Sequence, residues 1–576
     1  MKRLMFEPQR DNHRVRIIST SQCGPGPRGG DTGIMSQLDD LLTQLGTGRW
    51  SILHILLFCY WFSLLSYHTL GGVFLAPKID FTCRPPAARP HARTTNDSCA
   101  YFEEDSSTGF EEERPCTEWD FDNSTFSSTV TSEFGLVCEK EYLRATYQSI
   151  YMLGIFVGAP LNGMMADRFG RLPMVSVSSI IYTVIAIGSC FLYSLPLLLG
   201  ARFLLGVMHP TSLQTGYILV LEMAEPRWRS ALGVGMFLPW AVGTVAWGGF
   251  AYLVRDWRWL QLTVSLPCLL FLPALFFLDE SPRWLAVEGR QAKALDILKK
   301  AAKMNRVKLQ SDEKILSILK DDQKKEVQEK PTHDSYKDKV KEYFEASFIL
   351  FRTPRLRTIT TVMYIDYLVT GLVYFGLSLS GGNFSTDPFL YMALSGLMEV
   401  PGNTVIIPII TRFARKTLNI FFFVISGAAL LALPFIPTDH AWAAVTLAMV
   451  GKMSITFTFN ILFLFASEVF PTEVRSRGMG TSLMMSRIGA MVAPFVTESL
   501  GSIYSWAPTV VFGAASVAAG LATLALPETQ GVALPDTISR FEARSSEKEV
   551  KEDPRDPAGG IAGGSEEEDP VTNSVV

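Results

Sequence analysis

The chain has 576 residues, of which 48% are hydrophobic and 19% charged, with a formal net charge of −4. Soluble chains carry roughly 25% charged residues, whereas stretches such as 174–201 and 418–438 here hold one charge or none. Those figures exclude a soluble multidomain enzyme, and with no basic stripe to track phosphates they exclude a nucleic-acid-binding protein as well.

In chain order, residues 1–34 are polar and lack the apolar core of a leader peptide, so 1–50 reads as a cytoplasmic N-terminal segment. A membrane helix needs about 20 mostly apolar residues. Twelve such spans follow: 51–76, 144–166, 172–193, 195–221, 231–254, 259–278, 357–380, 387–410, 418–437, 441–466, 478–501 and 505–527. The expected fold is therefore an all-α membrane protein of two six-helix halves, 51–278 and 357–527. Loop 77–143 carries 14 acidic and 6 basic residues, while 281–357 carries 19 Lys/Arg against 12 Asp/Glu.

Basic loops stay inside. The central loop 279–356 and both termini are thus expected in the cytoplasm, 77–143 outside, and the chain in the plasma membrane. Within the central loop, Ala292 to Met304 reads as an amphipathic helix. Four of the eight cysteines (Cys83, Cys99, Cys116 and Cys138) fall in the outer loop, where disulfides persist, and their three possible pairings stay open. Asn96 and Asn123 head glycosylation sequons in the same loop, and Asn383 heads a third that also falls outside. The acidic, Gly/Pro/Ser-rich tail 528–576 reads as disordered. It ends Ser574-Val575-Val576, the form of a ligand for a PDZ-type scaffold.

An internal repeat joins the halves. Asp167-Arg168-Phe169-Gly170-Arg171 after the second span returns as Thr411-Arg412-Phe413-Ala414-Arg415 after the eighth; Glu222 and Arg229 return as Glu468 and Arg475; and Asp279-Glu280-Ser281 returns as Pro527-Glu528-Thr529. Such repeats place a solute site between the halves near the bilayer midplane. The acid and base seven residues apart are expected to pair across a closed gate. The gating candidates are Asp167, Arg168, Arg171, Glu222, Arg229, Glu280, Arg283, Glu468 and Arg475.

Ionisable residues deep in a span are costly and are functional candidates by default. At about 1.5 Å per residue, Arg487 lies roughly 13 Å into its span, and Asp366, Glu399 and Lys452 fall at similar depth. The acids and bases either pair with one another or face a solute. Aromatic faces for an ammonium group are offered by Tyr367 and Tyr374, seven apart on one helix face, by Trp240, and by Phe459 or Phe463. Asn460 and Gln148 offer hydrogen bonds. His209 reads as a packed histidine.

Gly163-Met164-Met165-Ala166-Asp167-Arg168-Phe169-Gly170-Arg171 resembles the loop signature of the major facilitator superfamily. Asp279-Glu280-Ser281-Pro282-Arg283-Trp284-Leu285, the Cys-bearing outer loop and Glu468-Val469-Phe470-Pro471-Thr472-Glu473-Val474-Arg475 are similar to the organic cation/anion/carnitine transporters, solute carrier family 22. The resemblance runs from about 35 to 535. Tyr374-Phe375-Gly376-Leu377-Ser378-Leu379, Met398-Glu399-Val400-Pro401 and Val450-Gly451-Lys452 are similar to its carnitine and zwitterion branch.

The resemblance implies the major facilitator fold, and it implies that Arg487 stands where anion and carnitine members carry an arginine that receives a substrate carboxylate. Glu399 matches a glutamate of cation and zwitterion members, and the two tyrosines match cavity aromatics. Asp366 has no counterpart. Leu65, Ser212 and Leu213 replace the Asn and Asn-Tyr of sodium-coupled members, and Asn403 replaces a lysine of anion exchangers. Thr411 stands in for the signature aspartate of the second-half loop.

No phosphate-binding Gly-rich loop, H-E-x-x-H motif or nucleophile–base set is present, so no cofactor, metal or catalysis is expected. The expected partners are small organic ions and the lipid bilayer. The function expected is alternating-access transport favouring organic cations and carnitine-like zwitterions. Organic anion transport is the alternative, and a non-transporting receptor is a further one.

Overall fold

The computed structural model describes residues 37–84, 93–94, 98–104, 111–329, 348–381 and 387–530, with residues 538 and 542. Each apolar span becomes a helix. The first half comprises α1 (Arg49–Thr69), α2 (Tyr142–Phe169), α3 (Arg171–Gly188), α4 (Leu195–Met223), α5 (Pro226–Gly235 continued by Leu238–Leu253) and α6 (Trp257–Ser265 continued by Cys268–Ala274). The second comprises α7 (Pro354–Leu379), α8 (Pro388–Thr404 continued by Ile406–Arg412), α9 (Arg415–Ala432), α10 (Ala441–Val469), α11 (Arg475–Phe495) and α12 (Ala507–Ala522).

Local chemistry sets where helices start and break. Asp256 caps α6 by accepting from the Arg258 and Trp259 N–H groups, and Asp387 caps α8 in the same way through Phe389 and Leu390. The breaks in α5 and α8 each fall at the carbonyl that a proline four residues on leaves without a donor, Gly235 before Pro239 and Thr404 before Pro408. Ten of the helical spans are long and apolar enough to cross a bilayer. The fourth and eleventh fall short because they carry polar cargo: Arg202, His209, Gln214 and Glu222 in α4, and Arg475, Arg477 and Arg487 in α11.

Two tight helix crossings repeat between the halves. A Cβ on Gly243 of α5 would stand 2.2 Å from the Ser63 carbonyl of α1, and one on Gly489 of α11 would stand 2.0 Å from the Leu368 carbonyl of α7. Small residues let membrane helices approach this closely. The two glycines occupy matching places in the repeat.

Outside the bundle, loop 77–143 is not irregular. Phe81–Cys83 pairs antiparallel with Trp119–Phe121, and Ala100–Glu104 pairs with Glu111–Pro115 and with Arg93–Thr94. Disulfides join Cys83 to Cys116 and Cys99 to Cys138, which resolves the pairing. We call this side of the bundle the disulfide face. Asn123 is exposed there, and its neighbour Ser124 is held by Asp122 through N–H (2.9 Å) and Oγ (2.8 Å) donors, which lower the Asp122 carboxyl below its usual range. Asn96 and Asn383 lie outside the described residues, as do 1–36, 330–347 and the Ser574-Val575-Val576 terminus.

On the opposite, central-loop face, Pro282–Val287, Gln291–Asn305 and Asp312–Glu329 are helices. They pack with a further helix, Gln37–Leu45, whose Leu38, Leu41, Leu42 and Leu45 are all buried. Asp39 of that helix pairs with Arg229 at 2.6 Å, and Trp50 donates to Asn305 and Asp279, both at 2.9 Å. The disulfide face is where the halves are fastened to each other. Arg144 of α2 pairs with Glu498 beyond the end of α11 at 2.6 Å, Ser149 Oγ donates to the Met491 carbonyl at 2.7 Å, and Phe74 stacks on Phe389 at 5.3 Å. Among the described residues, no ion pair or hydrogen bond ties the halves at the central-loop face.

Candidate functional site

On the central-loop face, the sequence repeat is also a repeat of bonds. Arg171 Nη2 lies 3.3 Å from Glu222, its Nη1 donates to the Ala166 carbonyl, and its backbone N–H donates to Glu280 at 3.1 Å. In the second half Arg415 Nε lies 3.3 Å from Glu468, Nη1 donates to the Ile410 carbonyl, and the N–H donates to Glu528 at 3.0 Å. Each set sits within its own half. Burial pushes the Glu280 carboxyl above its usual range, while N–H donors from Ser281, Leu172 and Arg171 pull it back.

The expected pairing seven residues apart is not the one made. Arg229 goes to Asp39 and to the Leu221 carbonyl, and Arg475 goes to Thr472 Oγ1 at 3.1 Å. The reason is that Arg171 and Arg415, entering from the preceding loops, already hold Glu222 and Glu468. Asp167 makes an exposed pair with Arg171 at 3.2 Å; Arg168 lies over the Phe169 ring; Arg283 makes no ion pair among the described residues. The Thr411 side chain lies outside the described residues.

At the midplane the four ionisable candidates separate into three environments. Glu399 and Lys452 pair with each other at 3.6 Å and are 2% and 1% exposed. Tyr374 donates its hydroxyl to Glu399 and receives the Trp240 indole N–H at 3.1 Å, so α5 of one half reaches α7, α8 and α10 of the other. Asp366 is elsewhere. Fully buried, it accepts from Thr523 Oγ1 at 2.9 Å and from Asn419 Nδ2 at 3.4 Å, against α9 and the end of α12. Both of these partners thus belong to its own half. Arg487 alone of the four is half-buried with no hydrogen bond or ion pair among the described residues. Its electrostatic neighbours are Tyr374 of its own half and Tyr151 and His209 of the other, which puts it at the junction.

The remaining candidates divide similarly. Gln148 is spent on structure: its Nε2 donates to the Thr69 carbonyl at 2.7 Å and its Oε1 accepts from the Gly72 N–H at 3.0 Å, closing the end of α1. Tyr367 is fully buried, edge-on to Phe459. Asn460 is half-buried and donates to Asn403 Oδ1 at 3.0 Å. His209 is packed as expected, bonded to Tyr151 at 3.0 Å.

Two features escaped the sequence reading. Arg202 is fully buried in α4, stacked at 4.4 Å on Tyr147 and 4.9 Å on Tyr151, and bonded to the His68 carbonyl at 3.0 Å. The rule that singles out Arg487 also flags it, since a guanidinium deep in an apolar span is never incidental. The Arg144–Glu498 bridge left no such signal, because its partners sit at two span ends 354 residues apart.

Comparison with known proteins accords with this architecture. Residues 105–539 match the family described as "Sugar (and other) transporter". The inward open xylose transporter XylE from E. coli superposes with a TM-score of 0.57 at 17% identity, covering 86% of this chain and 98% of that one. The chain is a membrane transporter of the major facilitator superfamily. The Drosophila melanogaster "Organic cation transporter protein" is 33% identical over 526 residues, 87% of this chain and 93% of the relative. Human "Organic anion transporter 3" is 30% identical over 89% of this chain and 95% of its own length, and "Solute carrier family 22 member 6" of Pseudopleuronectes americanus is also 30% identical. Within the superfamily, the chain belongs to solute carrier family 22, the organic cation and anion transporters.

Proposed function

We propose that the chain moves small organic ions across the plasma membrane by alternating access, and that the solutes it favours carry a carboxylate. Arg487, half-buried at the junction of the halves and unpaired among the described residues, carries this reading. A guanidinium fork suits a carboxylate in two-point contact, and leaving it unmatched in a low-dielectric site is costly. Carnitine-like zwitterions and organic anions both meet that need.

A pure organic cation meets Arg487 without compensation, since Asp366 faces its own half and Glu399 is held by Lys452. The cation preference expected from sequence therefore loses its physical support, while the half-buried ring of Trp240 still suits a zwitterion's ammonium. The solute passes between halves that part at the central-loop face and are joined at the disulfide face. The disulfides of loop 77–143 and the Lys/Arg excess of the central loop favour both termini and that loop on the cytoplasmic side.

The test is uptake of labelled carnitine, benzoate and tetraethylammonium into liposomes containing the purified chain. Saturable entry of the first two, with tetraethylammonium at least tenfold slower, is expected. Saturable entry of tetraethylammonium at an equal rate would overturn the charge preference. Entry of none, at confirmed insertion, would favour a receptor instead.

A further inference from the structure

Asp366, where α7 meets α9 and the end of α12, is one hydrogen short. Its Oδ2 accepts from Thr523 Oγ1 at 2.9 Å, but that single hydroxyl hydrogen also stands before the Ala519 carbonyl at 2.9 Å. Asn419 Nδ2 reaches Oδ2 at 3.4 Å and Thr523 Oγ1 at 3.3 Å. Asp366 Oδ1 and Asn419 Oδ1 are buried with no hydrogen-bond partner among the described residues. Both are acceptors, so neither can satisfy the other. No counter-ion makes up the difference: among the described residues Asp366 has no ion pair, and its electrostatic neighbour is Tyr367 of its own helix. On α9, Lys416 lies one turn away and donates to the Leu524 carbonyl at 2.7 Å, and Arg415 is held by Glu468. The α12 helix carries no charged residue. A lone buried carboxylate is costly. A proton on Asp366 removes the charge and supplies the missing donor.

We propose that Asp366 is a proton-binding site, and that its proton holds the transporter in the conformation closed at the disulfide face. The fold does not require an acid there. Counted from the carbonyls at the two tight crossings, Ser63 and Leu368, Asp366 matches Trp61 of the first half, which packs on Phe271 of α6 at 4.6 Å and edge-on to Tyr182 of α3 at 5.8 Å. The same place is apolar in one half and acidic in the other. Exchange has a short route, because Asn419 is one turn from the start of α9 and Thr523 directly follows α12, both at the central-loop face. The proton leaves Asp366 for water on that side, and the carboxylate left behind must be hydrated, which parts α7 from α9 and α12. That movement reaches the far side through α11. Leu368 and Gly371 of α7 touch α11 at Gly489 and Ser486, where an added Cβ would stand 2.0 Å from a carbonyl. The next turn of α11 carries Met491, whose carbonyl accepts the Ser149 hydroxyl of the other half at 2.7 Å. Proton occupancy thus sets which face opens, while the choice of solute stays with other residues.

The experiment needs no solute. Ser149→Cys is placed in the full chain with Asp366, Asp366→Asn, Asp366→Leu or Asp366→Glu, and labelling by an impermeant maleimide added outside is timed in cells whose internal pH is clamped to the external pH with nigericin. Maleimide itself reacts faster as the thiolate fraction rises, so the quantity read is the rate with Asp366 divided by the rate with each neutral variant at the same pH. Asp366→Asn keeps the shape of the neutral acid and cannot ionise. Asp366→Leu fills the same space without polar atoms, and guards against a folding failure of the asparagine variant. The ratio should be near one at mildly acidic pH and rise several-fold at mildly alkaline pH, as mass action removes the proton that holds the face shut.

A ratio that stays constant across the pH range, in whichever neutral variant reaches the surface, would overturn the proposal. So would failure of both neutral variants to reach the surface beside normal surface level of Asp366→Glu, since that marks a charge the fold itself needs. Because no solute enters the measurement, neither outcome touches the reading of Arg487.

Discussion

Arg487 and Lys452 are both cations sunk deep in a span, and only their partners separate them. Lys452 has a carboxylate, a ring and two oxygens around it, whereas Arg487 has none of these among the described residues. Depth was readable from sequence and partnership was not, because partners come from helices hundreds of residues away. Asp366 shows the same limit. It is as deep as Glu399, yet its Oδ2 accepts from Thr523 and Asn419 within one half. Asp366→Ala should therefore destabilise the fold by about 1–3 kcal/mol, through the lost bonds from Thr523 and Asn419 to its carboxyl group. It should lower the melting temperature of the purified protein and leave the ratio of benzoate to tetraethylammonium uptake as in wild type. A changed ratio would return Asp366 to the site.

Glu280 gives a pH prediction at the same scale. Burial raises its carboxyl, so the folded chain holds that proton more tightly than the unfolded chain does. Stability from this group is fully present below the ordinary carboxylate range and is lost as pH rises through the raised value. Glu280→Gln cannot ionise. Its melting temperature should fall less than that of wild type between mildly acidic and neutral pH, and a parallel fall in both would show that Glu280 does not contribute.

At the scale of elements, the twelve spans were legible because a bilayer demands long apolar stretches. The repeat was legible because its landmarks carry charge. What that repeat binds was half legible. The offsets put Arg171 with Arg415, Glu222 with Glu468 and Glu280 with Glu528, and the structure bonds these residues within each half. The seven-residue pairs misled because proximity along the chain is a poor guide where a loop arginine arrives first.

The Gly243 and Gly489 crossings were silent in sequence, where glycine is common and only a neighbour's carbonyl gives it meaning. Gly489→Val would drive a side chain into the Leu368 carbonyl of α7. Overpacking of this kind costs about 1–3 kcal/mol or more. The variant should reach the surface poorly, as Gly243→Val should in the first half. Normal surface level and melting temperature in either variant would show that the helices can separate there at no cost.

Over the whole molecule, the halves are bonded to each other at the disulfide face and, among the described residues, not at the central-loop face, and the half-buried Arg144–Glu498 bridge is one of the ties at the bonded side. Its residues lie outside every motif the sequence offered, since a gate is defined by a junction rather than by a local pattern. Arg144→Ala leaves the part-exposed Glu498 without its cation and should favour parting at that face. A cysteine placed at Ser149, whose hydroxyl now bonds across the junction to Met491, should then react several-fold faster with an impermeant maleimide added from outside. An unchanged rate would mean that the bridge is not what keeps the face closed.

The Arg487 guanidinium, unpaired among the described residues, sets the solute charge, and its most direct test is the affinity of wild type and Arg487→Gln for carnitine, benzoate and tetraethylammonium, measured by competition at matched surface level. The two carboxylates should each weaken by about tenfold or more, as expected for loss of a charge-assisted contact, while tetraethylammonium binds unchanged or better. An equal loss for all three would make Arg487 a structural residue and contradict the assignment of the site.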